Sequence, residues 1–151
     1  MAGIITVLSI PVFGIIMDKI DQRKFGSIMF SFMLLYVISI MLTDFFPQSF
    51  MLGGSEVFVM LILAFLFFGI FNAVGTLSWN VSSVYFSKDI NSAGDYQAVH
   101  ITLTGIRSLF APVGVLIYHT FGYTKTFAFS IVFILLALVI LWLSQRRQRL
   151  G

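Results

Sequence analysis

Long apolar runs, separated by short polar stretches, divide the chain into five segments at 2–17, 25–42, 57–81, 98–118 and 126–143. The last four approach or exceed the roughly 20 residues a helix needs to cross hydrocarbon about 30 Å thick. The first is shorter, and Pro11 would kink it. In lipid a spanning segment must satisfy its own backbone hydrogen bonds, so the predicted element is a helix throughout. The alternation of polar and apolar residues that a transmembrane barrel needs is absent. The predicted fold is therefore an all-α integral membrane domain covering 1–151, a five-helix partial bundle.

The polar positions inside these runs differ in kind. The second and fifth segments are nearly featureless, with Ser27, Ser31, Tyr36 and Ser39 in one and Ser130 and Trp142 in the other. They are expected to face lipid over much of their surface. The third and fourth are striped. Gly69, Asn72, Thr76, Asn80 and Ser83 step by three or four residues and share a helical face. Tyr96, His100, Thr104, Arg107, Ala111, Gly114 and Tyr118 do the same in the fourth segment. Small and amide-bearing residues on one face allow helices to approach and hydrogen-bond.

Arg107 lies near the middle of the fourth segment. A charge there costs from about 3 to more than about 10 kcal/mol, depending on how much water or protein reaches it. It demands polar surroundings. Pro112, about one turn further on, cannot donate to the carbonyl of Ser108 and disturbs the helix beside the arginine. A kink and a freed carbonyl at membrane depth suit a cavity wall.

Composition sharpens the class. Hydrophobic residues make up 59% of the 151 and charged residues 10%, and the mean hydropathy is +1.02. A soluble domain this small could not hide that much apolar surface. The chain has no cysteine, which removes disulfides and thiolate metal sites. No HExxH, G-x-S-x-G or phosphate-binding loop occurs, so no enzyme chemistry, metal or cofactor is expected.

Charge then predicts orientation. Lys19, Arg23, Lys24, Lys88, Arg146, Arg147 and Arg149 lie in the first and third connections and the tail, whereas the second and fourth connections hold only Lys125. The excess places those first three on the cytoplasmic side of the cell's inner (plasma) membrane, with a cytoplasmic C-terminus and an outside N-terminus. This basic excess is a topology signal and not one for nucleic acid. An outside N-terminus with no leader leads to the expectation that further helices precede Met1, in a longer transporter or a partner subunit.

The first connection, Gly14-Ile-Ile-Met-Asp18-Lys19-Ile-Asp21-Gln22-Arg23-Lys24, resembles the loop signature of the major facilitator superfamily at Gly14, Asp18, Lys19 and Arg23. Asp21 stands where that signature has a second Gly, and Gln22 where it has a basic residue. Gly105-Ile-Arg107 with Ala111-Pro112-Val-Gly114 is similar to the eleventh helix of some bacterial members. The resemblance covers almost the whole chain, as helices eight to twelve, with two to six as the alternative register. It implies a partial bundle of major-facilitator type. The implied function is part of a secondary-active transporter that moves a small solute by alternating access. The alternative is an accessory or degenerate membrane subunit that transports nothing.

On this reading Arg107, Asn72, Thr76, Asn80 and Thr104 line the substrate path, and His100 is a candidate proton site. The competing reading makes the amides and hydroxyls helix-to-helix hydrogen bonders, and makes Arg107 a packing residue held by carbonyls. Gly14, Asp18, Lys19 and Arg23 form either a cytoplasmic gate latch, with Asp18 capping or pairing to a neighbouring helix, or simply topology-setting charge. The Phe65–Phe68 run is expected to contact lipid.

Overall fold

The computed structural model describes residues 2–86 and 93–149, without the side chains of 82–86, 93, 148 and 149. The chain runs α1 (Ala2–Met17), α2 (Gln22–Leu42), β1 (Ser49–Leu52), β2 (Ser55–Phe58), α3 (Val59–Phe86), α4 (Ala93–Leu109), α5 (Ala111–Phe121) and α6 (Tyr123–Arg149). The five apolar segments are all helical, and most of the chain is helix.

Two features depart from the all-α expectation and its boundaries. The second connection is not a plain loop: β1 and β2 pair antiparallel, with Leu52 opposite Ser55. Gly53 and Gly54 join them at φ 59° and 83°. Two consecutive positive φ values make the tight primed turn whose twist matches a hairpin, and glycine reaches them without a side-chain clash. Ser49 Oγ donates to Glu56 Oε1 across the ladder at 2.5 Å. The third helix therefore starts at Val59, because 57 and 58 belong to the strand.

The second departure is in the fourth segment, which is broken. Phe110 separates α4 from α5, and its N–H reaches back only three residues, to the Arg107 carbonyl at 3.1 Å. Pro112 sits in the first turn of α5, where a missing N–H costs nothing. The expected disturbance beside Arg107 is thus a helix break. The predicted connection 119–125 shrinks to Gly122, at φ 80°, between α5 and α6.

The helices pack in the order α1, α3, α2, α6. The broken helix leans on α3 with its first half and on α6 with its second. Among the described residues the buried apolar side chains are few: Phe25, Val37, Ala64, Ala73, Val74 and Ile134. Lipid tails are as apolar as leucine, so burial does not drive such helices together; close packing and hydrogen bonds do.

Those contacts can be named. A Cβ on Gly69 would lie 2.7 Å from Ile5 Cβ and 2.8 Å from the Ala2 carbonyl oxygen, so α1 sits directly on the Gly69 backbone. Thr6 Oγ1 donates to the Gly69 carbonyl across the same interface at 2.9 Å. Gln22, buried, donates from Nε2 to Ser78 Oγ at 3.0 Å and joins α2 to α3. Two clamps hold α2 antiparallel to α6. Tyr123 donates to the Ile40 carbonyl at 2.7 Å at one end. Gln145 Nε2 donates to Ser27 Oγ at 2.8 Å and to the Arg23 carbonyl at 3.2 Å at the other.

Aromatic rings continue the seam. Phe13 meets Phe32 edge-on at 5.9 Å, Phe32 lies 6.3 Å from Phe67, and Tyr36 lies 4.9 Å from Phe68. Such pairs contribute about 0.5–1.5 kcal/mol each beyond area. The Phe65–Phe68 run therefore splits. Phe65 is exposed, as expected for lipid contact, while Phe67 and Phe68 are half-buried between helices. The featureless second segment also differs from its expected lipid-facing place, since α2 lies between α3 and α6.

Candidate functional site

Trp79 on α3 is the centre of a polar constellation that, among the described residues, joins the striped helices. The Arg107 guanidinium carbon lies 5.3 Å from the centroid of the Trp79 ring. The His100 ring lies 6.1 Å from the same indole, at an interplanar angle of 58°. His100 and Arg107 are seven residues apart, two turns on one face of α4, so one indole meets both. His100 is half-buried, as is Thr104 on the same face, while Arg107 and Trp79 are exposed on the chain taken alone.

A guanidinium within about 6 Å of an indole centroid is attracted by the ring quadrupole, by about 0.5–1 kcal/mol when exposed and about 2 when desolvated. The indole shields one face of Arg107 and uses none of its N–H donors. No described carboxylate pairs with it. The Arg107 carbonyl accepts the short bond from Phe110 that ends α4, so the cation sits at the helix break itself. The arrangement can therefore shelter a charge within an apolar helical stretch while leaving its hydrogen-bond donors for an anionic or strongly polar group.

The other predicted path residues are distributed less tightly. Thr76 and Asn80 are exposed and Asn72 is half-buried, all on α3. Thr76 donates to the Asn72 carbonyl within its own helix at 2.8 Å. They share the α3 side that carries Trp79, at helical spacing. Ser83's side chain lies outside the described residues, as does Lys88. Interhelical hydrogen bonding of the kind expected of this stripe is made by Thr6, Gln22 and Ser78, and among the stripe's described members only Gly69 joins another helix in that way, as acceptor for Thr6.

In the first connection, Asp18 and Lys19 are exposed at the end of α1 and Arg23 is half-buried in the first turn of α2. Asp18 makes no ion pair among the described residues. Asp21 performs the capping: its Oδ1 accepts the Arg23 backbone N–H at 2.8 Å. The residue that departs from the loop signature is thus the one that starts the helix.

Trp79 escaped the sequence reading because an indole in a 28-residue apolar helix looks like lipid contact. A signal was present: Trp79 is one residue from Asn80 and three from Thr76, on the edge of the stripe.

Fold and site together define a class, a multi-helix protein in which, among the described residues, four helical stretches are long and apolar enough to cross a membrane (α2, α3, α4 with α5 counted together, and α6), beside a shorter apolar α1. No protein-family profile matches the chain, and no curated protein or solved structure is detectably similar to it.

Proposed function

We propose that this chain forms part of a secondary-active membrane transporter of the major-facilitator type, moving a small polar or anionic solute by alternating access. The observation that carries the reading is Arg107, stacked on Trp79 at the point where its apolar helix breaks. A cation retained at membrane depth with donors to spare is the kind of group that binds or gates a solute. The break supplies irregular backbone where a path needs polar groups. His100, against the same indole, is the proton-handling candidate. Asn72, Thr76 and Thr104 supply further amide and hydroxyl groups on the facing helices.

A second reading has its own support. No residue in the 94–121 stretch is buried by the rest of the chain, which suits a surface covered by another membrane subunit. In that case Arg107 is a packing cation and the chain transports nothing.

Reconstitution separates the two. The chain reconstituted in proteoliposomes together with the membrane protein it copurifies with, screened electrically against a panel of organic and inorganic anions, is expected to carry a solute-dependent flux. Arg107→Leu is expected to abolish that flux while the protein still inserts. Flux unchanged by Arg107→Leu would remove the arginine from the path. Copurification with another membrane protein and no flux would favour the subunit reading.

A further inference from the structure

A different part of the molecule, unrelated to the Trp79 constellation, carries a binding site of its own. The start of α2 and the end of α6 enclose an open cleft of about 490 Å³, lined by Arg23, Ile140, Leu143, Ser144 and Arg147. We propose that this cleft holds the phosphodiester headgroup of an anionic phospholipid.

The lining is ordered along the helix. Ile140, Leu143, Ser144 and Arg147 step by three, one and three residues, so they form one stripe on α6. From the first to the last is about 10 Å along the axis, at about 1.5 Å per residue. The stripe runs from aliphatic to hydroxyl to guanidinium. A phospholipid read from its acyl chain to its phosphate follows the same sequence. Ile140 is 65% exposed and Leu143 48%, so an acyl chain can lie against them.

The second cation comes from another helix. Arg23 approaches from α2, and among the described residues no carboxylate lines the cleft. Neither arginine forms an ion pair among the described residues. Two guanidiniums on separate helices match a phosphate, whose oxygens accept paired N–H donors. The cleft is also held in shape. Gln145, next to Ser144, donates to the Arg23 carbonyl and to Ser27 Oγ, which pins α2 to α6 at this end. Asp21, the acid that caps α2, accepts the Arg23 backbone N–H through Oδ1.

Position favours a lipid over a dissolved anion. Trp142, 49% exposed, lies beside the stripe, and the Arg146 guanidinium carbon sits 4.0 Å from its ring centroid. An exposed indole beside a cation is the usual marker of the membrane–water boundary. Basic pockets between helices at that depth take anionic headgroups. A soluble phosphate would use the two arginines but would leave the aliphatic wall open.

The test is native mass spectrometry of the full chain released from nanodiscs of phosphatidylcholine containing a minority of phosphatidylglycerol. The expected result is selective retention of one phosphatidylglycerol per chain. Arg23→Gln combined with Arg147→Gln is expected to weaken retention by about tenfold or more. Lys19→Gln with Lys24→Gln, which removes equal charge nearby but outside the cleft, is expected to change it less than about threefold. Ser144→Trp, which fills the cleft and keeps both arginines, is expected to lose the lipid. Circular dichroism on every variant checks that the helices persist, and any variant that loses them is replaced by Ile140→Glu, which puts a carboxylate on the acyl wall and is expected to expel the lipid.

Three results would overturn the proposal. One is equal retention of phosphatidylcholine. Another is equal loss from the two double variants, which would reduce the effect to diffuse surface charge. The third is displacement of the lipid by millimolar inorganic phosphate, which would make the ligand a soluble anion.

Discussion

At the scale of single residues, Arg107 and Gly69 show opposite ways of living in lipid. Arg107 puts a charge in the apolar 94–121 stretch and gains one face of shelter from Trp79 at 5.3 Å. Gly69 has no side chain, and that absence is its contribution. Its backbone carries α1 so closely that an added methyl group would meet Ile5 and the Ala2 carbonyl. The second partner is backbone, which cannot swing aside as a side chain can. Gly69→Ala is therefore expected to destabilise the α1–α3 contact by about 1–3 kcal/mol. Thermal unfolding in detergent should show a lower midpoint than wild type. Gly105→Ala, inside α4 with open space around its Cβ, should not lower the midpoint. A wild-type midpoint for Gly69→Ala would mean that α1 does not sit on this glycine. The stripe in α3 was legible in the sequence as a face. Which of its members touches another helix was not, because small and polar residues suit a helix contact and a solute path equally well.

Among the elements, the broken helix departs furthest from a simple span. Pro112 lacks the N–H that would reach Ser108, and α4 closes at Leu109 with a three-residue bond from Phe110 to Arg107. Restoring the donor should lengthen the helix. Pro112→Ala is expected to slow amide hydrogen exchange across 110–113, and a pattern identical to wild type would place the cause of the break elsewhere. The proline announced a disturbance in the sequence. It did not announce that the helix would separate into two pieces leaning on different neighbours, α3 and α6, since that depends on what each half finds to pack against. The hairpin is the converse case. Gly53-Gly54 between Ser49–Leu52 and Ser55–Phe58 has the length and residue type of a two-residue turn. Only four residues on each side made it easy to read as loop.

For the whole molecule, the decisive relation is the antiparallel pairing of α2 with α6, which brings residues more than 100 positions apart into contact. It rests on a hydrogen-bonded clamp at each end and creates the cleft between Arg23 and Arg147. The chain has no cysteine, so an engineered pair can be read without background. Ser27→Cys with Gln145→Cys is expected to form an intramolecular disulfide under mild oxidation, seen as a mobility shift that reductant reverses. Ser31→Cys with Gln145→Cys, one helical turn removed, should cross-link far less. Equal cross-linking of both pairs would show that α6 slides along α2 and that the cleft has no fixed shape.

That the five apolar segments are helical, and roughly where each lies, was settled by composition and hydrophobic run length. Without water in the hydrocarbon, a long apolar segment has to bond its own backbone, and it does so as a helix wherever its neighbours lie. The order in which helices touch was decided only in three dimensions. So were the partnership of Arg107 and His100 with Trp79 and the convergence of Arg23 and Arg147 from opposite ends of the chain. Lipid rewards no apolar face over another. The pairing is therefore chosen by a few close approaches and hydrogen bonds, such as Gly69 beneath Ile5 and Gln145 against Ser27, that no one-dimensional pattern displays.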